Sequence, residues 1–407
     1  MNNPWRDIGI QKIAEGDLLE AEKLLSFCLK ENDKDFIALH SLGHLQLIKG
    51  KINDASILFI KALEVNPLYV RSLYALTQVG YTNHKDFIKK NIELFESYEQ
   101  KSNTDKIDFL FIKHHFAHKE KKFKESSIFL AKANELKSLI EEPNSENYIK
   151  QGNLVYTDFK KEYLISNKHI EKVKNIFIVG IPRSGTTLTE SILCTNQNIY
   201  SGGESDLLAK AFNFIKENKL STNKLEEYYD KSKIIPGNLD KIYLDKMPYN
   251  YILTGHICKF FSNTKIILCS RHPLANILSL HRAHFKKGNT YATCIKNSAR
   301  LIIHHKKLMN KYKKLYPNLI YEINYEKLVE SKEKTIINLI KWLGLEWKEI
   351  YLHHENLNRE INTASIIQAR SPINKNSLEI WKEYADLLQP AKSLLEESGV
   401  FNDIPME

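Results

Sequence analysis

Residues 180–187, GIPRSGTT, combine glycines, small hydroxyl side chains and an arginine in the spacing of a phosphate-binding loop. The usual pattern of that loop, G-x-x-x-x-G-K-[ST], places a lysine on the β- and γ-phosphates of a nucleoside triphosphate. Here Thr186 stands at the lysine position, and Arg183 lies inside the loop instead. The stretch therefore predicts an oxyanion site that differs from the site of a nucleoside triphosphatase.

The neighbours of this loop support an anion-binding role. The apolar run at residues 175–181 predicts a buried strand, and a helical pattern follows the loop. In that setting, backbone N–H groups and a helix N-terminus together bind an anion. Arg183 would add a forked, permanently charged donor, and the two threonines would add hydroxyls. The alternative is a tight turn with a structural role only, capped by Ser184 or Thr186.

Further polar side chains follow other predicted strands. Residues 264–269 predict a second buried strand, and Arg271 lies at its carboxyl end, where open α/β sheets bind their ligands. Ser279 lies in the following helix, so this pair could hold a second phosphate. Lys246 follows a third predicted strand, and Glu204 follows two glycines. Taken singly, each side chain would suit a surface ion pair or a helix hydroxyl equally well.

A repeated helical pattern occupies residues 1–145, with small residues where two helices must approach closely. A shift of 34 residues, the period of tetratricopeptide repeats, maps Gly43 onto Gly9 and Phe59 onto Leu25. We therefore expect an all-α, TPR-like solenoid in front of an α/β domain. Its concave face could bind a protein or peptide, or the repeats could serve only as a scaffold.

The motifs PRSGTTL, DKMP and SRHPLANILSLHR, in this order and spacing, resemble those of PAPS-dependent sulfotransferases. The pattern is most similar to tetratricopeptide-repeat sulfotransferases, whose catalytic half is related to tyrosylprotein sulfotransferases. The resemblance covers roughly residues 170–390 and, through the repeats, much of the front of the chain. It implies a three-layer, P-loop-like α/β domain with a mainly parallel sheet at 171–407, joined to the repeats by a linker at 146–170.

The resemblance also implies a co-substrate. PAPS, 3′-phosphoadenosine 5′-phosphosulfate, would be the sulfuryl donor and PAP the product, with no metal ion expected. The loop residues that would hold the 5′-phosphosulfate are Arg183, Ser184, Gly185, Thr186, Thr187 and Leu188. Arg271 and Ser279 would hold the 3′-phosphate, and Tyr325 and Arg370 would lie near the nucleotide.

Four side chains would carry the chemistry that the resemblance implies. Glu204 would be the general base, Lys246 and Arg183 would stabilise the transition state, and Ser365 would lie near the transferred group. A sulfuryl group in transfer carries less negative charge than a phosphoryl group. Fixed cations can therefore stabilise it by position and charge alone.

The residues leave several alternatives open. A histidine could be the base instead, as in cytosolic small-molecule sulfotransferases, and His281 and His284 stand one helical turn apart. The chain could be a P-loop kinase or NTPase, although the missing loop lysine argues against this, or a repeat adaptor with an inactive enzyme half. The acceptor hydroxyl could belong to a peptide tyrosine, a saccharide or a small molecule.

The composition sets the remaining expectations. The chain is 43% hydrophobic with a net charge of +10, but its lysines are spread widely and no nucleic-acid-binding motif is present. No apolar run is long enough to span a bilayer, and no signal segment is recognisable, so we expect a cytoplasmic protein without nucleic-acid or membrane partners. Five scattered cysteines without a C-x-x-C pair predict free thiols.

Overall fold

The computed structural model describes residues 3–99, 101–161, 170, 172–233, 241–286, 288–357, 360–361, 366–370, 373, 375 and 378–406. The chain forms two compact units, and neither is continuous in sequence. The first unit consists of Met1–Glu141, His284–Lys286 and Asn358–Ile367. The second unit consists of Glu142–Ala283, Lys287–Leu357 and Gln368–Glu407.

The first unit is helical. Its helices before residue 141 are α1 (Pro4–Glu15), α2 (Leu18–Glu31), α3 (Phe36–Ile48), α4 (Ile52–Val65), α5 (Val70–Val79), α6 (Tyr81–Ser97), α7 (Asn103–Lys119) and α8 (Phe123–Ile140). Asp17, Asp35 and Ser102 cap three of them by accepting backbone N–H groups of the first turn. Helices α1 and α2, α3 and α4, and α7 and α8 pack as pairs, which confirms the all-α prediction for the front of the chain.

The helix pairs touch at the positions that the repeat predicts. A Cβ atom added at Gly43 would lie 2.7 Å from Cε1 of Phe59, so only glycine lets α3 approach α4 this closely. At the position one repeat earlier, a Cβ added at Gly9 would lie 3.0 Å from Cγ of Leu25. The same small-against-large contact therefore recurs in the first two helix pairs.

Two short segments from later in the chain complete the first unit. The imidazole of His284 stacks on the ring of Phe111, with centroids 4.3 Å apart, and its Nε2 lies 2.5 Å from a carboxylate oxygen of Asp108. The backbone N–H of Ile361 donates to the carbonyl of Ile48 at 3.2 Å. The core of the helical unit thus depends on residues far apart in sequence.

The second unit contains a five-stranded sheet in the order β2-β3-β1-β4-β5. Its strands are β1 (Asn175–Gly180), β2 (Ile199–Gly203), β3 (Ile242–Asp245), β4 (Thr264–Ser270) and β5 (Ile320–Asn324). All neighbouring strands are parallel. The predicted α/β class with a parallel sheet is confirmed.

Helices cover both faces of this sheet. The helices of the second unit are α9 (Glu146–Lys161), α10 (Thr186–Leu193), α11 (Leu207–Glu217), α12 (Leu225–Ser232), α13 (Thr254–Phe260), α14 (Pro273–Arg282), α15 (Ile295–Leu315), α16 (Tyr325–Glu330), α17 (Lys332–Leu343) and α19 (Ala385–Glu397). The short helix α18 (Ile366–Arg370) is divided between the two units. On one face Ile176 and Ile178 pack in a core with Leu339 of α17. On the other face Phe177 contacts Tyr229 of α12, because successive strand residues point to opposite sides.

Two elements differ from the sequence prediction. Strand β2 was not among the strands predicted from the sequence, and its weak apolar content is typical of a sheet edge. Helix α9 occupies most of the predicted linker at 146–170, whose residues 162–169 lie outside the described part. This helix forms despite its polar composition because Phe159 is fully buried and Tyr148 stacks on Tyr249 at 5.0 Å.

The cysteines form no disulfide: all five are free thiols, and Cys28, Cys258 and Cys269 are buried. Among the residues described, no group of three or more His, Cys, Asp or Glu side chains is arranged to hold a metal ion. Within the same residues, every helix is too short or too polar to traverse a bilayer.

Candidate active site

A candidate residue follows each strand of the sheet, at one edge. Across the sheet these are Glu204 after β2, Lys246 after β3, the loop at 181–185 after β1, Arg271 after β4 and Tyr325 after β5. The carboxyl ends are also in register, since Gly180 pairs with Cys269 and Ser270 with Asn324. At the usual strand spacing this row spans about 19 Å.

The loop after β1 is tightly packed and partly strained. A Cβ at Gly180, where φ is +152°, would lie 2.6 Å from the carbonyl oxygen of Cys269. A Cβ at Gly185, where φ is +102°, would lie 3.0 Å from Cδ2 of Tyr325. Arg183 also has a positive φ, 70°, which costs a non-glycine residue about 1 kcal/mol or more. The surrounding contacts impose this shape, and such turns expose successive N–H groups to an anion.

The start of α10 provides donors for that anion. In the described structure no side chain caps this helix, which begins at Thr186 after Gly185. The hydroxyl of Ser184 is buried and has no hydrogen-bond partner among the described residues, which is unusual unless a ligand satisfies it. The side chains of Thr186 and Thr187 are buried beside it. The loop therefore fits a bound oxyanion.

Arg271 and Ser279 lie directly against the loop. Nη1 of Arg271 donates to the carbonyl of Arg183 at 3.1 Å, and Nε of Arg183 donates to Oγ of Ser279 at 3.2 Å. The Arg271 guanidinium also lies over the Tyr325 ring, 4.5 Å from its centroid. Burial lowers the pKa of Arg271 from its ordinary value, but a guanidinium stays charged in proteins. The structure thus brings four predicted site residues into one cluster.

A cavity of about 1060 Å³ lies beside β4 and β5. Its lining includes Ser184 and Arg271 together with Lys327 and Lys334. This side of the sheet therefore has both space and positive charge for an anionic ligand.

On the opposite side of the loop, Lys246 is buried between two carboxylates. Its Nζ donates to Oε1 of Glu204 and lies 3.6 Å from Oε2 of Glu190. The Lys246 side chain is only 1% exposed, whereas that of Glu204 is 40% exposed. Of these three groups, Glu204 is therefore the one that a ligand from solvent can reach.

Sequence reasoning missed Glu190, which is almost fully buried on α10. It stands four residues after Thr186 and three after Thr187, so all three lie on the same side of the helix. That spacing could have identified Glu190 from the sequence, because a buried carboxylate one turn into such a helix requires a cation beside it. In the structure Lys246 is that cation.

Asp245 is the last residue of β3 and directly precedes Lys246. Its carboxylate accepts hydrogen bonds from the Tyr229 hydroxyl at 2.7 Å and the Asn250 amide at 3.0 Å. Burial raises the pKa of Asp245 to about 7, against the opposing effect of the Tyr229 hydrogen bond. Tyr229 and Asn250 therefore hold the Asp245 carboxylate in place.

The other predicted residues have less defined roles. Leu188 is half-buried on α10 and packs against the core, and Arg370 is the half-buried last residue of α18. Ser365 lies outside the described residues. His281 is buried in α14 with Nδ1 2.9 Å from the Ala292 carbonyl, and burial lowers its pKa to about 4. The other rival base, His284, pairs with Asp108 in the helical unit.

Comparison with known proteins assigns the α/β half. The model of the sulfotransferase family matches residues 175–349. An uncharacterized protein of Aquifex aeolicus is 28% identical over 93% of this chain, which spans about half, 53%, of that protein's length. Protein-tyrosine sulfotransferase 2 of Gallus gallus is 22% identical over 54% of this chain and 67% of its own.

Two solved sulfotransferase domains align with part of this chain. The sulfotransferase domain of the Synechococcus olefin synthase aligns over 60% of this chain and 99% of its own, with 19% identity and a TM-score of 0.42. The sulfotransferase domain of the curacin biosynthetic pathway aligns over 57% and 99%, with 18% identity and a TM-score of 0.39. By the family match alone, residues 175–349 in the C-terminal half form a sulfotransferase-family domain, and protein-tyrosine sulfotransferases are among its homologues.

Proposed function

We propose that this protein transfers a sulfuryl group from PAPS to an acceptor hydroxyl. The observation that carries the proposal is the order of groups along the carboxyl edge of the sheet. A buried lysine and an accessible carboxylate, Lys246 and Glu204, lie on one side of the anion loop. Arg271 and Ser279 lie on the other side. Such an arrangement can hold two anionic ends of one nucleotide and still present a base to a second substrate.

Residues on the loop and beyond it would hold the nucleotide. The 5′ end would lie against Arg183, Ser184, Gly185, Thr186, Thr187 and Leu188, where the unpartnered Ser184 hydroxyl would find an acceptor. Arg271 and Ser279 would bind the 3′-phosphate, with Tyr325 under the Arg271 guanidinium and Arg370 near the nucleotide. Since ATP has no 3′-phosphate, this half of the site would select PAPS. When bound, PAPS supplies the sulfuryl group.

Glu204 would remove the proton of the acceptor hydroxyl. Its partly exposed carboxylate can accept a hydrogen bond from an incoming hydroxyl. Lys246 and Arg183 would stabilise the negative charge that develops on the bridging oxygen between the leaving nucleotide and the sulfuryl group. These cations also lower the pKa of a nearby phenol from its usual value of about 10, which helps a carboxylate to act as its base.

A peptide tyrosine is the acceptor that we propose. The relatives named as protein-tyrosine sulfotransferases support this choice, and the net charge of +10 suits a peptide with acidic residues around the tyrosine. The helical repeats would contribute a surface for such a protein or peptide. No metal ion is assigned a role in this scheme.

Calorimetry and label transfer test the proposal. We expect the purified full chain to bind 3′,5′-bisphosphoadenosine at least tenfold more tightly than ATP. Sulfur-labelled PAPS should label an acidic tyrosine peptide, and the same peptide with phenylalanine is the matched control. Label in a saccharide or small phenol alone would contradict the peptide acceptor. Equal affinity for ATP, with magnesium-dependent ATP turnover, would contradict sulfuryl transfer and support an NTPase.

A further inference from the structure

We propose that Glu190 is a positioning residue, a permanent counter-ion of Lys246 that leaves Glu204 free to accept a proton. The inference rests on the proposed function, because it assigns Glu204 the role of base. It extends that function to a buried residue on the loop helix. Glu190 would act through Lys246 and would not touch either substrate.

The geometry fixes Glu190 more firmly than Glu204. Oε1 of Glu190 accepts a hydrogen bond of 2.6 Å from Oγ of Ser201, which itself accepts from the backbone N–H of Gly203 at 3.1 Å. Oε2 lies 3.6 Å from Nζ of Lys246. This distance is too long for a hydrogen bond, so Glu190 acts on the ammonium through charge. Strand β2 therefore orients the carboxylate, and the carboxylate holds Lys246 electrostatically.

Burial makes a second counter-ion necessary. The side chains of Lys246 and Glu190 are 1% and 3% exposed, and a buried ion is costly unless it is paired. If Glu204 were the sole partner, its protonation would leave the Lys246 ammonium buried without a counter-ion. The pair would then resist the proton transfer that the proposed reaction requires. With Glu190 present, Lys246 remains paired whichever form Glu204 takes.

The neighbouring titratable groups do not provide this charge. The Asp245 carboxylate is held by the Tyr229 hydroxyl and titrates near neutral pH, because burial raises its pKa to about 7. The Cys269 thiol on β4 stays neutral, since burial raises its pKa to about 12. Burial also raises the pKa of the Tyr243 phenol on β3. Within the described residues, Glu190 and Glu204 are the carboxylates within ion-pair distance of Lys246.

The test measures the titration of Glu204 itself in the ligand-free full chain. Glutamate carboxyl carbons are labelled with carbon-13, and the Glu204 signal is identified by its loss in Glu204→Gln. In Glu190→Gln the pKa of Glu204 should fall by about one unit or more. The Lys246 ammonium would then pair with Glu204 alone, and the negative charge of Glu190 would be gone. Glu226→Gln, which removes a carboxylate that binds Ser262 elsewhere in the unit, is the matched control and should cause no shift.

A conservative variant keeps the test decisive if Glu190→Gln does not fold. Glu190→Asp retains the charge but moves it away from Lys246, so the pKa of Glu204 should fall by a smaller amount in the same direction. An unchanged Glu204 titration in the folded variant would overturn the proposal.

Turnover gives the second readout. With PAPS and an acceptor, Glu190→Gln should lower kcat about tenfold or more, shift its acid limb to lower pH, and leave the KM for PAPS within twofold. A change in KM alone would overturn the positioning role. If the wild-type protein transfers no label to any acceptor, the proposed function fails, while the carbon-13 titration still decides whether Glu190 controls Glu204.

Discussion

The two sides of the anion loop are built from different kinds of charge. On the β2–β3 side, Lys246 lies between the carboxylates of Glu190 and Glu204. On the β4–β5 side, the guanidinium of Arg271 stacks on the phenol ring of Tyr325. The first side contains groups that can gain or lose a proton. The second side contains a cation that stays charged at any physiological pH.

This difference indicates how one sheet edge can serve two tasks. A group that holds an anion is most useful when its charge never changes, whereas a base is useful only if its charge does. Arg183 is held against the β4–β5 side, because its carbonyl and its Nε contact Arg271 and Ser279 while its backbone forms the strained part of the loop. We therefore expect substitutions on the β2–β3 side to change turnover and substitutions on the β4–β5 side to change nucleotide affinity.

The largest expected effect comes from Glu204→Gln. Loss of a general base usually costs 10²–10⁴-fold in rate, so kcat for sulfuryl transfer should fall about 10³-fold. Affinity for 3′,5′-bisphosphoadenosine, measured by calorimetry, should stay within about threefold, because the amide keeps the shape of the side chain. A matched loss of affinity and turnover would break the division between the two sides.

Next in size is the pH dependence of stability due to Asp245. Its native pKa, about 7, is above its unfolded value of 3.8, so the native state retains a proton that the unfolded state releases between these values. The contribution of protonated Asp245 to the free energy of unfolding is therefore fully present below about pH 4. It falls by up to about 1.4 kcal/mol per pH unit as the pH rises to 7 and does not change further above that pH. In Asp245→Asn this fall should be absent. Urea unfolding of both proteins at pH 4, 5.5, 7 and 8.5 measures the difference, and a constant difference would contradict the prediction.

Arg271→Ala should weaken binding of 3′,5′-bisphosphoadenosine about 100-fold, because the variant loses both the charge-assisted contact with the 3′-phosphate and the guanidinium that stacks on Tyr325. Binding of adenosine 5′-phosphate, which has no 3′-phosphate, is the control and should change little. Calorimetry with both nucleotides separates the outcomes. Equal weakening for the two nucleotides would place Arg271 at the other phosphate.

The smallest expected effect is that of Ser279→Ala. Removal of one neutral hydrogen bond should weaken binding of the bisphosphate about fivefold, with kcat unchanged at saturating PAPS. Ser262→Ala, outside the site, gives the baseline for a serine substitution. If Ser279→Ala exceeded Arg271→Ala in effect, the serine and not the arginine would be the main ligand on this side.

The sequence predicted the secondary structure around the candidate site where its signals are local. The strand, loop and helix at 175–193 are continuous, so the glycine spacing and the apolar run were enough to identify them. The same holds for Lys246 and Arg271, which directly follow apolar strands. The contact of Gly43 with Phe59 was also predictable, because it repeats after 34 residues.

The features that the sequence did not reveal depend on long-range packing. Strand β2 is short, rich in glycine and paired on one side only, so its alternation pattern is weak. The pairing of Glu190 with Lys246 joins residues on α10 and β3, and it exists only because β3 lies next to β1 in the sheet. Helix α9 is stabilised by aromatic contacts with residues about a hundred positions away.

The helical unit includes residues 284–286 and 358–367, so it cannot be separated from the rest of the chain by a single cut. A fragment that ends at Glu141 would contain all the paired helices α1 to α8 but would lack His284 and Ile361, which bond to Asp108 and Ile48. Recombination that joined residues 1–141 to another enzyme would therefore transfer an incomplete module. A boundary at residue 141 therefore does not separate a complete helical unit from the rest of the chain.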